Sequence, residues 1–438
     1  MSKSVKTEIA IIGSGLGGVL CGALLGREGY RIIVLEKMGI PGGRYTTIDK
    51  DGFKVNTGAW AIGLHGERGP VYRLVHDLGG RVETKVPEPD HARLWFQDKD
   101  MPLPKKGQLR TIIDTVAKNE RESERVMGAT RRALRWQEPS DNITCAQWLY
   151  QYTDNPLIHG QFDFFSRLMT ATYHYDFPAG EYFRLLRNFG RLGDLTAMPK
   201  NGQKATMDEL VKLLKSRRVD IRYNTVTTKI LSANTQVKGV LAKTEENGEI
   251  EIVSDVVISD VGPKETVRLA GESNFDTAYL NEVSRVNETK AVVIVWGYDK
   301  PILDYQAHIQ LIEYDRLGSA WEPHHIWPEY VPKGRYSLYT YSTMKTNNTE
   351  KELEMITAQC KEAFPALGNA EIVATLVFKS EWPILRAHPS RCLGIKSPIQ
   401  GLYIAGDAVN PSGWTCGEGI AISSQAIAED IKSRFPHS

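Results

Sequence analysis

The hydrophobic positions fall into short buried-strand runs separated by amphipathic stretches. Residues 8–12, EIAII, form a near-continuous apolar run of the kind a parallel strand makes when both faces are covered. A glycine-rich turn follows, residues 16–29 read as a helix ending near Gly29, and RIIVLE reads as a second strand. Together they form a strand–turn–helix–strand unit of roughly 30 residues. Farther along, KNGQKATMDELVKLLKSRRVDIRYNTVTTKILSANTQVKGVLA predicts a helix and two strands, and DVVISDVGP a strand and turn. Residues 142–193 are dense in aromatics and read as mostly helix, whereas 291–296, 308–312 and 335–342 read as strands. Near the C-terminus LYIAGD is a short apolar strand, and residues 419–434 read as a helix.

Composition narrows the class. At 438 residues two domains are expected, and 41% hydrophobic with 24% charged residues is a globular profile. The formal net charge of +1 gives no electrostatic case for nucleic acid. Arg131, Arg132 and Arg135 follow Glu120, Glu122 and Glu124, so this local basic stretch reads as a solvated helix face. Cys21, Cys145, Cys360, Cys392 and Cys416 contain no C-x-x-C pair and suggest reduced thiols in a cytoplasmic protein. MSKSVKTE is polar and leaves no room for a signal peptide, and no apolar run reaches bilayer length; a peripheral membrane contact stays open. His324-His325 lack supporting ligand spacing, so no metal is expected.

The first turn carries chemistry. Gly13, Gly15 and Gly18 have the G-x-G-x-x-G spacing: a tight turn, backbone approach to a pyrophosphate, and close helix–strand packing. The helix N-terminus adds free N–H groups and a positive dipole end. Glu36 ends the second strand, where a carboxylate accepts from ribose hydroxyls and repels a 2′-phosphate, which disfavours NADP. NAD and FAD both fit this unit.

The next stretch, EKMGIPGGRYTTIDKDGFKVNTGAW, separates them. With the tail GLYIAGDAVNPSGWTCGEGIAISSQAIAEDI, it resembles the superfamily of phytoene desaturases and flavin amine oxidases. PKNGQKATMDEL and PSGWTCGEGI are most similar to the phytoene-desaturase-like branch, although Asn201 replaces the first glycine of that branch's Gly-Gly pair. The resemblance implies non-covalent FAD. It places Gly13, Gly15, Leu16, Gly17, Gly18, Glu36 and Lys37 at one end of the cofactor. Gly43 and Arg44 would meet its pyrophosphate, and Val226, with Thr227 in the neighbouring register, its adenine. Asp260 and Gly262 return the chain toward the flavin. Gly406, Asp407, Gly413, Gly417, Gly419 and Ile420 line the ribityl chain and ring. Cys416 does not match the family's covalent attachment motif.

The implied fold is α/β. A Rossmann-like FAD-binding domain (1–88, 196–265 and 386–438) is interleaved with an α+β substrate-binding domain (89–195 and 266–385). The implied activity is FAD-dependent oxidation of a carbon–carbon bond in a small apolar molecule, with oxygen, a quinone or a protein as electron acceptor. His65, Tyr173, His174 and Tyr339 are the candidate catalytic groups, and Trp60, Tyr175, Tyr341 and Trp414 candidate pocket residues. Amine oxidation is an alternative, with Trp60, Trp382 and Trp414 as an aromatic cage. A third is prenyl-protein binding without catalysis, as in the similarly built Rab GDP-dissociation inhibitors.

Overall fold

The apolar runs pair with one another across the whole chain. The computed structural model describes residues 3–58, 65–88, 92–192, 196–244, 248–387 and 393–437. The strands Asp220–Arg222, Ile32–Leu35, Ile9–Ile12, Val256–Ser259 and Leu402–Ile404 lie side by side, in that order, as an all-parallel sheet. Parallel strands need crossovers that cover both faces, which is why the inner strands are buried along their whole length while the edge strand Asp220–Arg222 keeps charged ends.

Among the described residues the helices are, in chain order, α1 Leu16–Arg27, α2 Pro70–Asp77, α3 Gln108–Val116, α4 Glu120–Arg135, α5 Cys145–Leu149 and α6 Pro156–Thr170. They continue with α7 Ala179–Leu192, α8 Gln203–Ser216, α9 Pro263–Ala270, α10 Thr277–Ser284, α11 Thr349–Ala363 and α12 Cys416–Arg434. Ile9 and Ile11 face the core shared with α1, α8 and α12, while Ala10 and Ile12 face the opposite core. That second face is covered by a four-stranded sheet containing Thr225–Ala233, Gln236–Thr244 and Gly248–Val253.

A seven-stranded sheet is built from Ala92–Phe96, Lys99–Pro102, Ala291–Tyr298, His308–Leu311, Leu317–Trp321, Tyr336–Thr343 and Glu371–Phe378. Its pairings are antiparallel except that of His308–Leu311 with Ala92–Phe96. Val293 and Val295 point to its inner face, while Val292, Ile294 and Trp296 pack toward α11. Helices α3 to α7 form a further core. The side chain of Asn119 caps α4 by accepting from Glu122 N–H, and Asn155 with Pro156 opens α6.

The C-terminal helix starts at Cys416, three residues before the predicted 419. Gly417 and Gly419 therefore belong to its first turn, not to the preceding loop. Asn201 keeps the turn of the Gly-Gly pair it departs from, because it adopts φ +63°, a region that asparagine tolerates.

Candidate active site

Parallel strands in this arrangement all end on one edge, and the turns that leave that edge converge. Gly13 N–H donates to Leu35 O (2.8 Å), and Gly42 N–H to Ser14 O (2.8 Å). The Gly42-Gly43 turn is thereby fixed against the N-terminus of α1. Glu36 is buried, yet its carboxylate is fully oriented. Oε2 accepts from Ser14 N–H (2.8 Å) and Ser14 Oγ–H (2.7 Å), and Oε1 accepts from Met38 N–H (2.8 Å). Thr225 N–H donates to Glu36 O (2.8 Å), which sets exposed Val226 beside this carboxylate.

The glycines have distinct tasks. A Cβ on Gly18 would lie 2.3 Å from Gly13 O, so this residue serves helix–strand packing. A Cβ on Gly15 would lie 2.5 Å from Asp260 Oδ2, and one on Gly17 would lie 2.7 Å from both Asp260 Oδ1 and Gly406 N. These two keep the space in front of α1 open. Gly419 is a packing residue too: its Cβ would meet Asn410 at 2.4 Å, and it lines no part of the cavity.

Charges cluster at the centre of this edge. Arg44 Nη1 donates to Asp407 Oδ2 (2.8 Å) and to the carbonyls of Pro383 (3.1 Å) and Ile384 (3.0 Å). Arg386 N–H donates to the same Asp407 oxygen (2.9 Å). Burial raises the Asp407 carboxyl, but Arg44 and Arg386 outweigh it and hold it below the ordinary value. Asp260 lies under the same cradle, accepting from Gly18 N–H (2.9 Å). Burial pushes its carboxyl up to about 7, with Asp407 adding to the rise. Glu418, in the first turn of α12, accepts from Val71 N–H (2.8 Å), and burial pushes it up to about 8. Burial likewise raises the Cys416 thiol to about 11.

These residues line a cavity of about 1110 Å3. Gly13, Gly15, Leu16, Gly17, Glu36, Lys37, Gly43, Arg44, Val226, Gly406, Asp407, Gly417 and Ile420 all face it. Its volume exceeds the ~300–1,000 Å3 of an ordinary small-molecule site, so there is room for more than one ligand. The second half is walled by regular stripes. On α4 these are Met127, Thr130, Arg131 and Leu134, and on α6 Gln161, Phe164, Phe165 and Leu168. Leu186 and Phe189 of α7 continue the wall, and His308, Gln310, Trp321 and Tyr341 come from the seven-stranded sheet.

The aromatic and histidine candidates divide. Tyr341 reaches the cavity, with its hydroxyl donating to Arg167 O (3.0 Å). Tyr339 does not line it; the phenol is buried and donates to Lys54 O. Tyr173 donates to Asp315 O (3.0 Å) and Thr343 O (2.9 Å), away from the cavity. His174 lies between Asp163 (2.9 Å) and His159 (3.0 Å) in a packed corner, and Tyr175 stacks on Tyr173 with its ring exposed. The density of Tyr173, His174 and Tyr175 thus serves packing between α6 and the sheet, not a reacting centre. His65 is buried, at φ +66°, against Phe189; it backs the wall without lining it. Trp382 lies at the cavity, Trp414 is half-buried outside its lining, and Trp60 is outside the described residues.

Glu322, His324 and His325 bring three ligand-type atoms within 4.8 Å of one another. His324 Nδ1, however, accepts from Ser337 N–H (3.3 Å), so the proton of the neutral ring sits on Nε2 and leaves no lone pair there for a metal.

Sequence reasoning did not name Arg386, Glu418, His308, Gln161 or Gln310 as site residues. The lone Gln161 at i of an i, i+3, i+4, i+7 aromatic stripe was a readable signal.

The pocket fits an extended dinucleotide bearing a ring system. Glu36 and Val226 stand at one end, the glycine cradle with Arg44 in the middle, and the N-terminus of α12 at the other. The profile of the flavin containing amine oxidoreductase family matches residues 16–432. An uncharacterized protein of Methanocaldococcus jannaschii is 24% identical over 428 residues, covering 97% of this chain and all of that one. Phytoene desaturase (neurosporene-forming) of Cereibacter sphaeroides is 30% identical over 86 residues, 19% of this chain and 17% of its own. The crystal structure of an oxidoreductase from Methanosarcina mazei superposes with a TM-score of 0.86 at 23% identity, covering 97% of this chain and 100% of that one, a likeness of fold. The cradle and the family match over nearly the whole length lead to one conclusion: the chain belongs to the flavin containing amine oxidoreductase family and is an FAD-dependent oxidoreductase.

Proposed function

We propose that the protein oxidises a carbon–carbon bond of an apolar small molecule. In this reading segments 1–88, 196–265 and 386–438 hold FAD, and segments 89–195 and 266–385 form the substrate side. One observation carries it. Among the described residues, no cavity-lining carboxylate belongs to α3, α4, α6, α7 or the seven-stranded sheet. A cationic amine entering among these elements would find aromatic, aliphatic and uncharged polar side chains and no carboxylate, at a high desolvation cost; the lining carboxylates Glu288 and Glu381 stand on segments outside them. An uncharged apolar molecule gains from the same wall.

Bound FAD supplies a hydride acceptor. The chain's own residues hold and enclose the partners. Glu36 accepts from ribose hydroxyls, Arg44 sets a cation against the phosphates, and the dipole of α12 favours negative charge at its N-terminus. Phe164, Phe165, Leu168 and Phe189 exclude water from the substrate half. Tyr341 stays protonated, because burial raises its phenol and its proton is committed to Arg167 O. It shapes the wall and is not a base. Oxygen, a quinone or another protein takes the electrons afterwards.

Amine oxidation is the second reading, favoured by Trp382 at the cavity. The complete FAD cradle and the family match leave the binding-only, GDP-dissociation-inhibitor reading without support. Anaerobic mixing of the FAD-loaded protein with a panel of polyenes, cyclic ketones and amines separates the two enzymatic readings. Bleaching of the flavin by polyenes or ketones is expected; bleaching by amines alone overturns the proposal.

A further inference from the structure

The apolar half of the cavity contains three polar atoms that no described residue satisfies. Gln161 Oε1, Gln310 Oε1 and Thr130 Oγ1 are buried without a hydrogen-bond partner, and all three residues line the cavity. Buried polar groups in folded proteins are almost always paired, so orphans grouped in one chamber point to a ligand.

The two glutamines come from neighbouring elements. A Cβ on Gly160 would lie 2.2 Å from Ile312 O, so α6 touches the chain there through its backbone. Gln161 is the next residue on α6, and Gln310 lies two residues before Ile312. The two residues therefore flank one backbone contact, and both line the cavity. Beside Gln310, on the same face of its strand, half-buried His308 meets Ser319 Oγ, and desolvation pushes its imidazole down to about 4. The ring is neutral at any ordinary pH.

Charge restricts the ligand group. Among the described residues, no lining carboxylate of α3, α4, α6, α7 or the seven-stranded sheet stands here to meet an ammonium. The cations Arg110 and Arg131 are paired with Asp114 and Glu124, so a carboxylate gains little from them. An uncharged group remains. A side-chain amide offers its oxygen or its NH2 by turning over, and a hydroxyl answers both, donating to one amide and accepting from another. An ether or ketone only accepts.

Resting on the apolar-substrate reading above, we propose that Gln161 and Gln310 form a subsite for a neutral hydroxyl carried by an otherwise apolar substrate. Thr130 supplies a third polar contact from α4.

The test uses the FAD-loaded protein and four probes of one chain length: 1-octanol, its methyl ether, octylamine and octanoate. Binding is read from the shift of the flavin absorption spectrum. Octanol should bind about tenfold more tightly than the ether, the free energy of one neutral hydrogen bond, ~1.4 kcal/mol. The double variant Gln161→Leu, Gln310→Leu should bring the two level. It should keep its flavin spectrum and melt no lower than the wild type, because orphan polar atoms are replaced by apolar ones. A purely structural role for the glutamines predicts a lower melting temperature instead. Equal binding of ether and alcohol by the wild type overturns the subsite alone, as does discrimination that survives the double variant. If none of the four probes binds, the apolar-substrate reading falls with it. Tightest binding by octylamine overturns both and favours amine oxidation.

Discussion

FAD binding should weaken as pH rises, and Asp260 should be the cause. Its carboxyl sits among Gly15, Gly17 and Gly406, on the Gly18 N–H at the start of α1, where a phosphate group is best received. The charges around it are Asp407 from one side and Arg44 and Arg386 from the other. A diphosphate arriving here adds negative charge, so the neutral carboxyl is the form that admits it. With a value near 7 in the free protein, about half of the molecules carry the proton at pH 7, about a tenth at pH 8 and about a hundredth at pH 9. The apparent Kd for FAD should therefore rise about tenfold for each pH unit above 7 and level off below it, a difference of ~2.7 kcal/mol between the limits at pH 9.

The folding of the free protein obeys the same linkage. The raised value means that the folded state holds the proton where the unfolded state has released it. Stability from this group is present below the ordinary carboxyl value and is lost as pH rises toward about 7. Titration of the apoprotein with FAD from pH 6 to 9, followed by flavin fluorescence, reads the effect. Asp260→Asn should flatten the profile while retaining FAD. Glu418, pushed up to about 8, titrates in the same window, so Glu418→Gln is the control and should keep the slope. A flat wild-type profile, or an Asp260→Asn profile as steep as the wild type, refutes the reasoning.

Three further outcomes are expected. Glu36→Ala should lower FAD affinity at least tenfold and Glu36→Gln less, since the amide keeps one acceptor for a hydroxyl; equal retention of FAD in equilibrium dialysis removes Glu36 from the site. Gly18→Ala should destabilise the apoprotein by about 1–3 kcal/mol, because its Cβ meets a fixed backbone carbonyl. Gly15→Ala, whose Cβ meets only the tip of the Asp260 side chain, should spare stability and lose FAD; thermal melts showing the reverse order contradict this division. Acid precipitation should release all the flavin, and yellow colour retained in the washed pellet would show a covalent link.

The sequence by itself determined the opening unit and the cofactor. Gly13, Gly15, Gly18 and Glu36 are read from local spacing because a strand, a turn and a helix N-terminus are local objects, whereas the partners that Asp260 and Thr225 supply to Gly18 and Glu36 come from distant strands and turns. Arg44 and Asp407 carried a resemblance, but their ion pair spans most of the chain, and only the parallel sheet places one beside the other. The tertiary structure also decided which aromatics face the cavity. Tyr173, His174 and Tyr339 have the composition of a reacting cluster, yet their polar atoms are consumed by partners on α6 and on distant strands. Gln310 is unremarkable in the sequence, and Gln161 stands out only as the polar position of an aromatic stripe. They become a site because α6 meets the end of one strand through the bare backbone of Gly160, a contact between segments about 150 residues apart that no local pattern encodes.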